Sequence, residues 1–238
     1  MDAISNIDSS RSVACNNEAA AVLLYNIERI SYTKALDFQL KLHSLCAGGD
    51  ITGALILLEH DPVITKGVKT GPGNVLVSQE TLNKQGIEIV DTDRGGDVTY
   101  HGPGQLVGYP IFPIRKMGGD LHAYLRRLEQ CIIDVLAEFG LQGERSGPAG
   151  VWVGERKVCS IGVAIRKWVT YHGFALNVAP NMAHFNLINP CGLAAEQLTS
   201  LKELLGESPS MHDVRAACVR SFERNFCIEL KLQEDRPQ

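Results

Sequence analysis

The sequence predicts an α/β (α+β) fold, a mixed β-sheet flanked by helices, and three observations carry that expectation. The first third of the chain alternates apolar, strand-like runs with helical patterns in the order β-α-β-α. A β-rich middle follows, with strand-like runs crowded between Val151 and Val178. A long amphipathic helix before that middle and two capped helices after it supply the apolar faces that would cover a sheet.

Taken in order, residues 1–22 are polar and poor in structural signals, and read as a flexible lead-in. The remainder, residues 23–230, reads as a single domain without repeats or low-complexity linkers. Leu23–Ile27 is a short strand-like run. Ser31 can cap a helix through Leu45, with Leu36, Phe38, Leu42 and Leu45 partly matching a helical stripe and Gly48-Gly49 stopping it. Gly53–Leu58 reads as a buried strand, and Val63-Ile64-Thr65 as a further short run. Lys66–Asn74 holds Gly67, Gly71, Pro72 and Gly73, and reads either as one wall of a pocket or as a connector. Ser78–Gln85 reads as a short helix feeding the strand Ile87–Val90.

Between Ile87–Val90 and the apolar run Leu106–Ile111 lies Asp93-Arg94-Gly95-Gly96-Asp97-Val98-Thr99-Tyr100-His101-Gly102-Pro103-Gly104-Gln105. A connection between strands needs one or two turn residues, and this one holds four glycines. Glycine allows positive φ and the close approach of a backbone or ligand. With Arg, Asp, Tyr and His sharing those glycines, the stretch reads as a ligand-contacting loop. Beyond it, Asp120 caps the clearest helix, in which Leu121, Tyr124, Leu125, Leu128, Cys131, Ile132, Val135, Leu136 and Phe139 recur at three- and four-residue steps before Gly140. Val151-Trp152-Val153, Lys157–Val169 and Thr170–Val178 are strand-like, with a turn at Gly154-Glu155. Asn181–Gly192 reads as a loop. Ser200 with Glu203 and Ser210 with Asp213 have capping-box spacing and open two terminal helices.

Composition narrows the function. The chain has 238 residues, 45% hydrophobic and 21% charged, with a net charge of −4. No basic stripe is available to neutralise phosphates, which argues against a nucleic-acid surface. No apolar run approaches the ~20 residues of a membrane span, and the first residues fit neither a secretion signal nor a transit peptide. The seven cysteines lack C-x-x-C spacing, so neither a disulfide framework nor a zinc site is expected. A reducing, cytoplasmic setting follows from that, and no metal or cofactor is expected.

A cysteine acts as a nucleophile only as thiolate, in an open and electropositive setting. Cys191 alone sits in a loop between a proline and a glycine, Pro190-Cys191-Gly192. Cys131 and Cys218 face helix interiors, Cys46 belongs to a helix end and Cys15 to the lead-in. Cys159 is the rival to Cys191, two residues from Lys157 and therefore expected on the same strand face. Lys157 taken by itself reads first as a solvated strand end, since lysine is mostly exposed. His101 and His172 read as base, orienter or backbone-bonded residues.

The run Arg94–Gln105 is similar to the signature R-G-G-x-x-T-Y-H-G-P-G-Q of the octanoyl-acyl-carrier-protein:protein octanoyltransferases, and departs from it nowhere. The likeness extends from Tyr25 to Phe226. Ile188-Asn189-Pro190-Cys191-Gly192 resembles the family's I-x-P-C-G, and Lys157-Val158-Cys159-Ser160-Ile161-Gly162 its K-I/V-x-S/A-I/L-G. His172-Gly173-Phe174-Ala175-Leu176-Asn177 resembles H-G-x-A-L-N. The resemblance implies the fold of the biotin and lipoate protein ligase catalytic domains. It implies an acyl-thioester nucleophile at Cys191 and a general acid/base at Lys157 that lowers the thiol pKa. It further implies an acyl pocket lined by Arg94, Gly95, Gly96, Asp97, Val98, Thr99, Tyr100, His101, Ser160, Ile161, Gly162, Gly173, Phe174 and Ala175. The implied donor is octanoyl-acyl-carrier protein. The implied acceptors are lipoyl domains of 2-oxoacid dehydrogenase E2 subunits and the glycine cleavage H protein, served by a monomer. An ATP-dependent lipoate-protein ligase and a non-catalytic lipoyl-binding relative are the alternatives. The absence of a G-x-x-x-x-G-K-S/T loop agrees with nucleotide-free chemistry.

Overall fold

The computed structural model describes residues 20–189 and 197–234. Ten strands and five α-helices follow one another among those residues. Strand β1 (Ala20–Ile30) begins inside the segment read as a lead-in, and helix α1 (Tyr32–Gly48) follows it. Strands β2 (Ala54–His60) and β3 (Val63–Lys66), the short helix α2 (Gln79–Lys84), and strands β4 (Glu88–Asp91), β5 (Thr99–His101) and β6 (Gln105–Ile111) come next. Helix α3 (Leu121–Glu138) precedes strands β7 (Gly150–Val153), β8 (Arg156–Arg166) and β9 (Val169–Asn177). The chain closes with α4 (Leu201–Leu205), α5 (Met211–Phe226) and β10 (Ile228–Leu232).

The strands form a seven-stranded mixed sheet in the order β10-β1-β2-β6-β9-β8-β7 and a three-stranded sheet in the order β4-β3-β5. Strand β1 runs parallel to both neighbours, and the pairs from β2 to β7 are antiparallel. Strand alternation sends Leu55, Leu57, Leu106 and Leu176 to one face, where they pack with Leu128, Ile132 and Val135 of α3 and Phe222 of α5. It sends Ala54, Ile56, Leu58, Val107, Tyr109 and Ala175 to the other face, against Ala35 and Leu42 of α1. On α1, however, Gln39 and His43 are buried beside those residues, which is why its apolar stripe is incomplete in the sequence.

Asp120, Ser200 and Ser210 cap as predicted, each accepting a backbone N–H of the first turn of α3, α4 and α5, and Ser78 does the same for α2. Ser31 stands at the N-cap of α1 but makes no side-chain cap bond.

Three expectations are corrected. The strand read as Lys157–Val169 ends at Arg166, because Lys167 and Trp168 turn the chain with φ of 51° and 64°, and Val169 already opens β9. Such a turn usually carries Asn or Gly, and neither marks it here. Part of Asn181–Gly192 is a 3₁₀ helix, Met182–Leu187. Cysteine pairing is not wholly absent: Cys227 is disulfide-bonded. Cys46, Cys131, Cys159 and Cys218 are free and buried. Cys227 is only half-buried, at the end of α5. Among the described residues no helix is long and apolar enough to cross a membrane.

Candidate active site

A cavity of about 660 Å³ opens beside β8 and β9, within the usual range for small-molecule sites. Arg94, Gly95, Gly96, Asp97, Val98, Thr99 and His101 line it from the glycine-rich loop. Lys157, Ser160, Ile161 and Gly162 line it from β8, and Gly173, Phe174 and Ala175 from β9. Tyr100 is the exception among the expected residues. It is buried against Phe185 and His184 and does not reach the cavity. Cys191 lies outside the described residues.

A β-bulge decides which β8 residues face the cavity. Val151 pairs with Cys159 and Trp152 with Lys157, so one residue of β7 spans two of β8 between those pairs. The extra residue, Val158, goes with Cys159 into the core beneath α3 and α5, while Lys157 is returned to the face that carries Ser160 and Gly162. Lys157 Nζ stands 5.7 Å from the centre of the ring of Trp152, its partner on β7, a cation–π distance. The expectation that Cys159 and Lys157 share a face is therefore wrong, and the bulge is the reason. Gly150 makes room for the lysine stem, since a Cβ there would stand 2.5 Å from Lys157 Cε.

Opposite β8, the loop presses its backbone against the strand. Gly95 N–H donates to the Val163 carbonyl at 3.0 Å, and a Cβ on Gly162 would stand 2.6 Å from the Gly95 carbonyl oxygen. The Lys66–Asn74 segment does form a wall: Val68 and Lys69 donate to the Arg94 and Gly96 carbonyls at 3.1 and 3.0 Å. Asp97 accepts both from Asn74 Nδ2, at 2.8 and 2.7 Å, and from Val98 N–H at 2.6 Å. Asn189 N–H in turn donates to the Asn74 carbonyl at 2.8 Å, and Thr199 N–H to the Lys157 carbonyl at 3.0 Å. The described chain on either side of Cys191 is thus bonded to the two walls of the cavity.

Buried polar groups surround the apolar lining. Arg94 donates from Nε to Thr65 Oγ1 at 3.1 Å and from Nη2 to the Thr65 carbonyl at 2.7 Å. His172 adopts φ of 56° within β9, a conformation uncommon outside glycine and one that clusters at functional sites. Its Nε2 lies 2.9 Å from Asp93 Oδ1 and its Nδ1 3.3 Å from Tyr32 Oη, and Tyr171 Oη also donates to Asp93. Partial burial opposes ionisation of Asp93, but those hydrogen bonds outweigh it and hold the carboxyl below its usual range. Burial lowers His172 despite Asp93, lowers His60 to about 4, and holds His101 well below the ordinary imidazole value. All three are neutral at pH 7.

The thiols are sorted by the same physics. Burial raises Cys46 to about 11 and Cys218 to about 12, and pushes Cys131 and Cys159 well above the normal thiol range. None of the four is a thiolate at neutral pH.

Sequence reasoning missed Tyr32, Val107, Tyr109, Leu121, Leu125 and Phe185, which also line the cavity. Val107, Tyr109, Leu121 and Leu125 sit on apolar runs that look like core, Tyr32 opens α1 and Phe185 lies in a segment read as loop, and only long-range packing brings them here.

A sequence model of the lipoyl protein ligase A/B catalytic domain matches residues 31–223. The chain belongs to that family. Within it, the chain is 44% identical over 198 residues to an octanoyltransferase of Clostridium kluyveri, covering 83% of each chain. An octanoyltransferase of Chloroflexus aurantiacus is 44% identical over 214 residues, covering 88% of this chain and 96% of that one. Another, from Nitratidesulfovibrio vulgaris, is 47% identical over 188 residues, 78% and 85% of the two chains. Among solved structures, a lipoate-protein ligase A bound with ATP superposes with a TM-score of 0.74 at 17% identity, over 90% of this chain and 88% of that one. A putative lipoate protein ligase from T. acidophilum with bound lipoic acid gives 0.71 at 18% identity, over 90% and 89%. These two likenesses establish the shared fold of the family.

Proposed function

We propose that this chain is an octanoyltransferase. It moves octanoyl from octanoyl-acyl-carrier protein to a lysine of lipoyl domains, through an acyl thioester on Cys191, with Lys157 as proton carrier. The catalytic unit is one domain over residues 23–230, acting as a monomer in the cytoplasm. The acceptors are lipoyl domains of 2-oxoacid dehydrogenase E2 subunits and the glycine cleavage H protein.

One observation carries the reading: the β8 bulge puts an almost fully buried amine into an apolar cavity, 5% exposed, beside the loop Arg94–His101. The other thiols of the core support the nucleophile: Cys46, Cys131, Cys159 and Cys218 are buried and protonated, and Cys191 follows by two positions Asn189, whose N–H donates to the Asn74 carbonyl.

The steps balance. Lys157 as free amine takes the Cys191 proton, and the thiolate attacks the thioester carbonyl. The carrier's C–S bond breaks, and the Lys157 ammonium protonates the departing thiolate. The acceptor amine then attacks the acyl-Cys191 carbonyl, Lys157 accepts the amine's proton, and the C–N bond forms as the Cys191 thiolate leaves. A thioester is converted to an amide, which runs downhill without nucleotide. Lys157 cycles between amine and ammonium, which partial desolvation favours.

The test is intact-protein and peptide mass spectrometry after incubation with octanoyl-acyl-carrier protein and no nucleotide. An octanoyl adduct on Cys191 is expected. An adduct on Cys159, or strict ATP dependence as in the ligase alternative, would overturn the assignment.

A further inference from the structure

One continuous hydrogen-bonded chain runs from the glycine-rich loop to the start of β8. Arg94 Nε donates to Thr65 Oγ1, and that hydroxyl lies 3.4 Å from His101 Nε2. His101 Nδ1 is 2.7 Å from Gln105 Oε1, an oxygen that can only accept. The proton of His101 therefore sits on Nδ1, and Nε2 accepts from Thr65. Gln105 Nε2 donates to Asn177 Oδ1 at 2.9 Å, and Asn177 Nδ2 to the Thr199 carbonyl at 2.9 Å. Thr199 N–H completes the chain by donating to the Lys157 carbonyl at 3.0 Å. Each donor points towards Lys157, and the bonds as far as the Thr199 carbonyl polarise one another. The Thr199 N–H belongs to the preceding peptide group and is tied to that carbonyl through the residue's backbone.

The last links lie outside the cavity. Gln105, Asn177 and Thr199 are buried, and none lines the cavity wall. Their location matters because the bulge interrupts the β7–β8 ladder at Val158, directly after Lys157. On its other side Lys157 has a single isolated parallel bridge, to Leu198. Beyond Thr199 the chain is fixed independently, by the Ser200 cap and by Lys202 N–H on the Val178 carbonyl at 2.9 Å.

We propose that Asn177 is a positioning residue for Lys157: through Thr199 it holds the Lys157 backbone at the bulge, so that the amine keeps its place in the cavity. The role extends back to Gln105, whose amide orients Asn177. It rests on the reading above, in which Lys157 carries the proton.

Asn177→Asp is the discriminating variant. Its carboxylate still accepts from Gln105 but has no donor for the Thr199 carbonyl, and Asn177→Ala removes both bonds should the carboxylate prevent folding. Hydrogen exchange at the Thr199 amide should quicken roughly ten- to a hundredfold, as expected when a buried carbonyl loses its donor. Octanoyl transfer should lose about tenfold or more in kcat, with KM for octanoyl-acyl-carrier protein unchanged. Ser221→Ala is the structural control: Ser221 Oγ donates to the Cys131 carbonyl at 2.9 Å, between α5 and α3. That variant should lower Tm and leave kcat alone. Unchanged Thr199 exchange, or unchanged kcat in both Asn177 variants of an enzyme that Lys157→Ala disables, would overturn the positioning role by itself. Transfer indifferent to Lys157→Ala would remove the reading beneath it.

Discussion

Lys157 and Cys159 stand two residues apart on one strand, yet the first lines a cavity and the second is sealed beneath α3 and α5. On the cavity face, Ser160, Gly162 and Lys157 leave space that neighbouring side chains do not fill. On the core face, Val158 and Cys159 are packed, and burial keeps the Cys159 thiol protonated. A nucleophile and its base must share one compartment, and the bulge assigns the amine and that thiol to different ones. Spacing of two predicts a shared face only where the ladder is regular.

The comparison can be broken most directly at Lys157. Lys157→Ala should leave circular dichroism unchanged and slow acyl transfer by about 10²–10⁴, the usual contribution of a positioned acid/base. Wild-type rates in that variant would make the cavity face chemically idle.

Acid should weaken the cavity side before the apolar core face. His60 is held near 4 in the folded chain and returns to 6.5 on unfolding. The unfolded chain therefore binds a proton the folded chain refuses, and stability is full above 6.5 and falls as pH drops towards 4. The His60 contribution approaches roughly 3 kcal/mol, and His101 and His172 act in the same direction. Thermal melts between pH 7 and 4 measure it, and a flat profile would contradict the buried, neutral state of these rings.

Gly162→Ala should cost about 1–3 kcal/mol, because the new methyl meets the Gly95 carbonyl rather than a movable side chain. The cavity should narrow with it, so octanoyl transfer falls more than Tm alone explains. An unchanged Tm would mean the loop does not press on β8.

Cys159→Ala is the smallest effect, about 1 kcal/mol of packing. Transfer kinetics should not move, and a slowed reaction would return Cys159 to the cavity face.

Much of the fold could be read from the chain because the signals were local. The stripe from Leu121 to Phe139 and the caps Ser78, Asp120, Ser200 and Ser210 each depend on residues within a turn or two. Strand β10 escaped because Ile228–Leu232 is half exposed and gains its identity only from parallel pairing with β1, some 200 positions away. The turn at Lys167-Trp168 escaped because it uses left-handed residues without Gly or Asn. In the site, the glycine-rich loop was conspicuous by composition. Tyr100 resembled its neighbours there, but it packs on Phe185.

By itself the sequence determined most of the helices and strands, the loop and the family, because capping, periodicity and a contiguous signature are properties of short stretches. Only the tertiary structure decided which atoms face one another. Pairing register, one inserted residue and burial sent Lys157 to the cavity, Cys159 to the core and Asn177 to the Thr199 carbonyl. Those outcomes depend on partners far along the chain, and no local pattern encodes them.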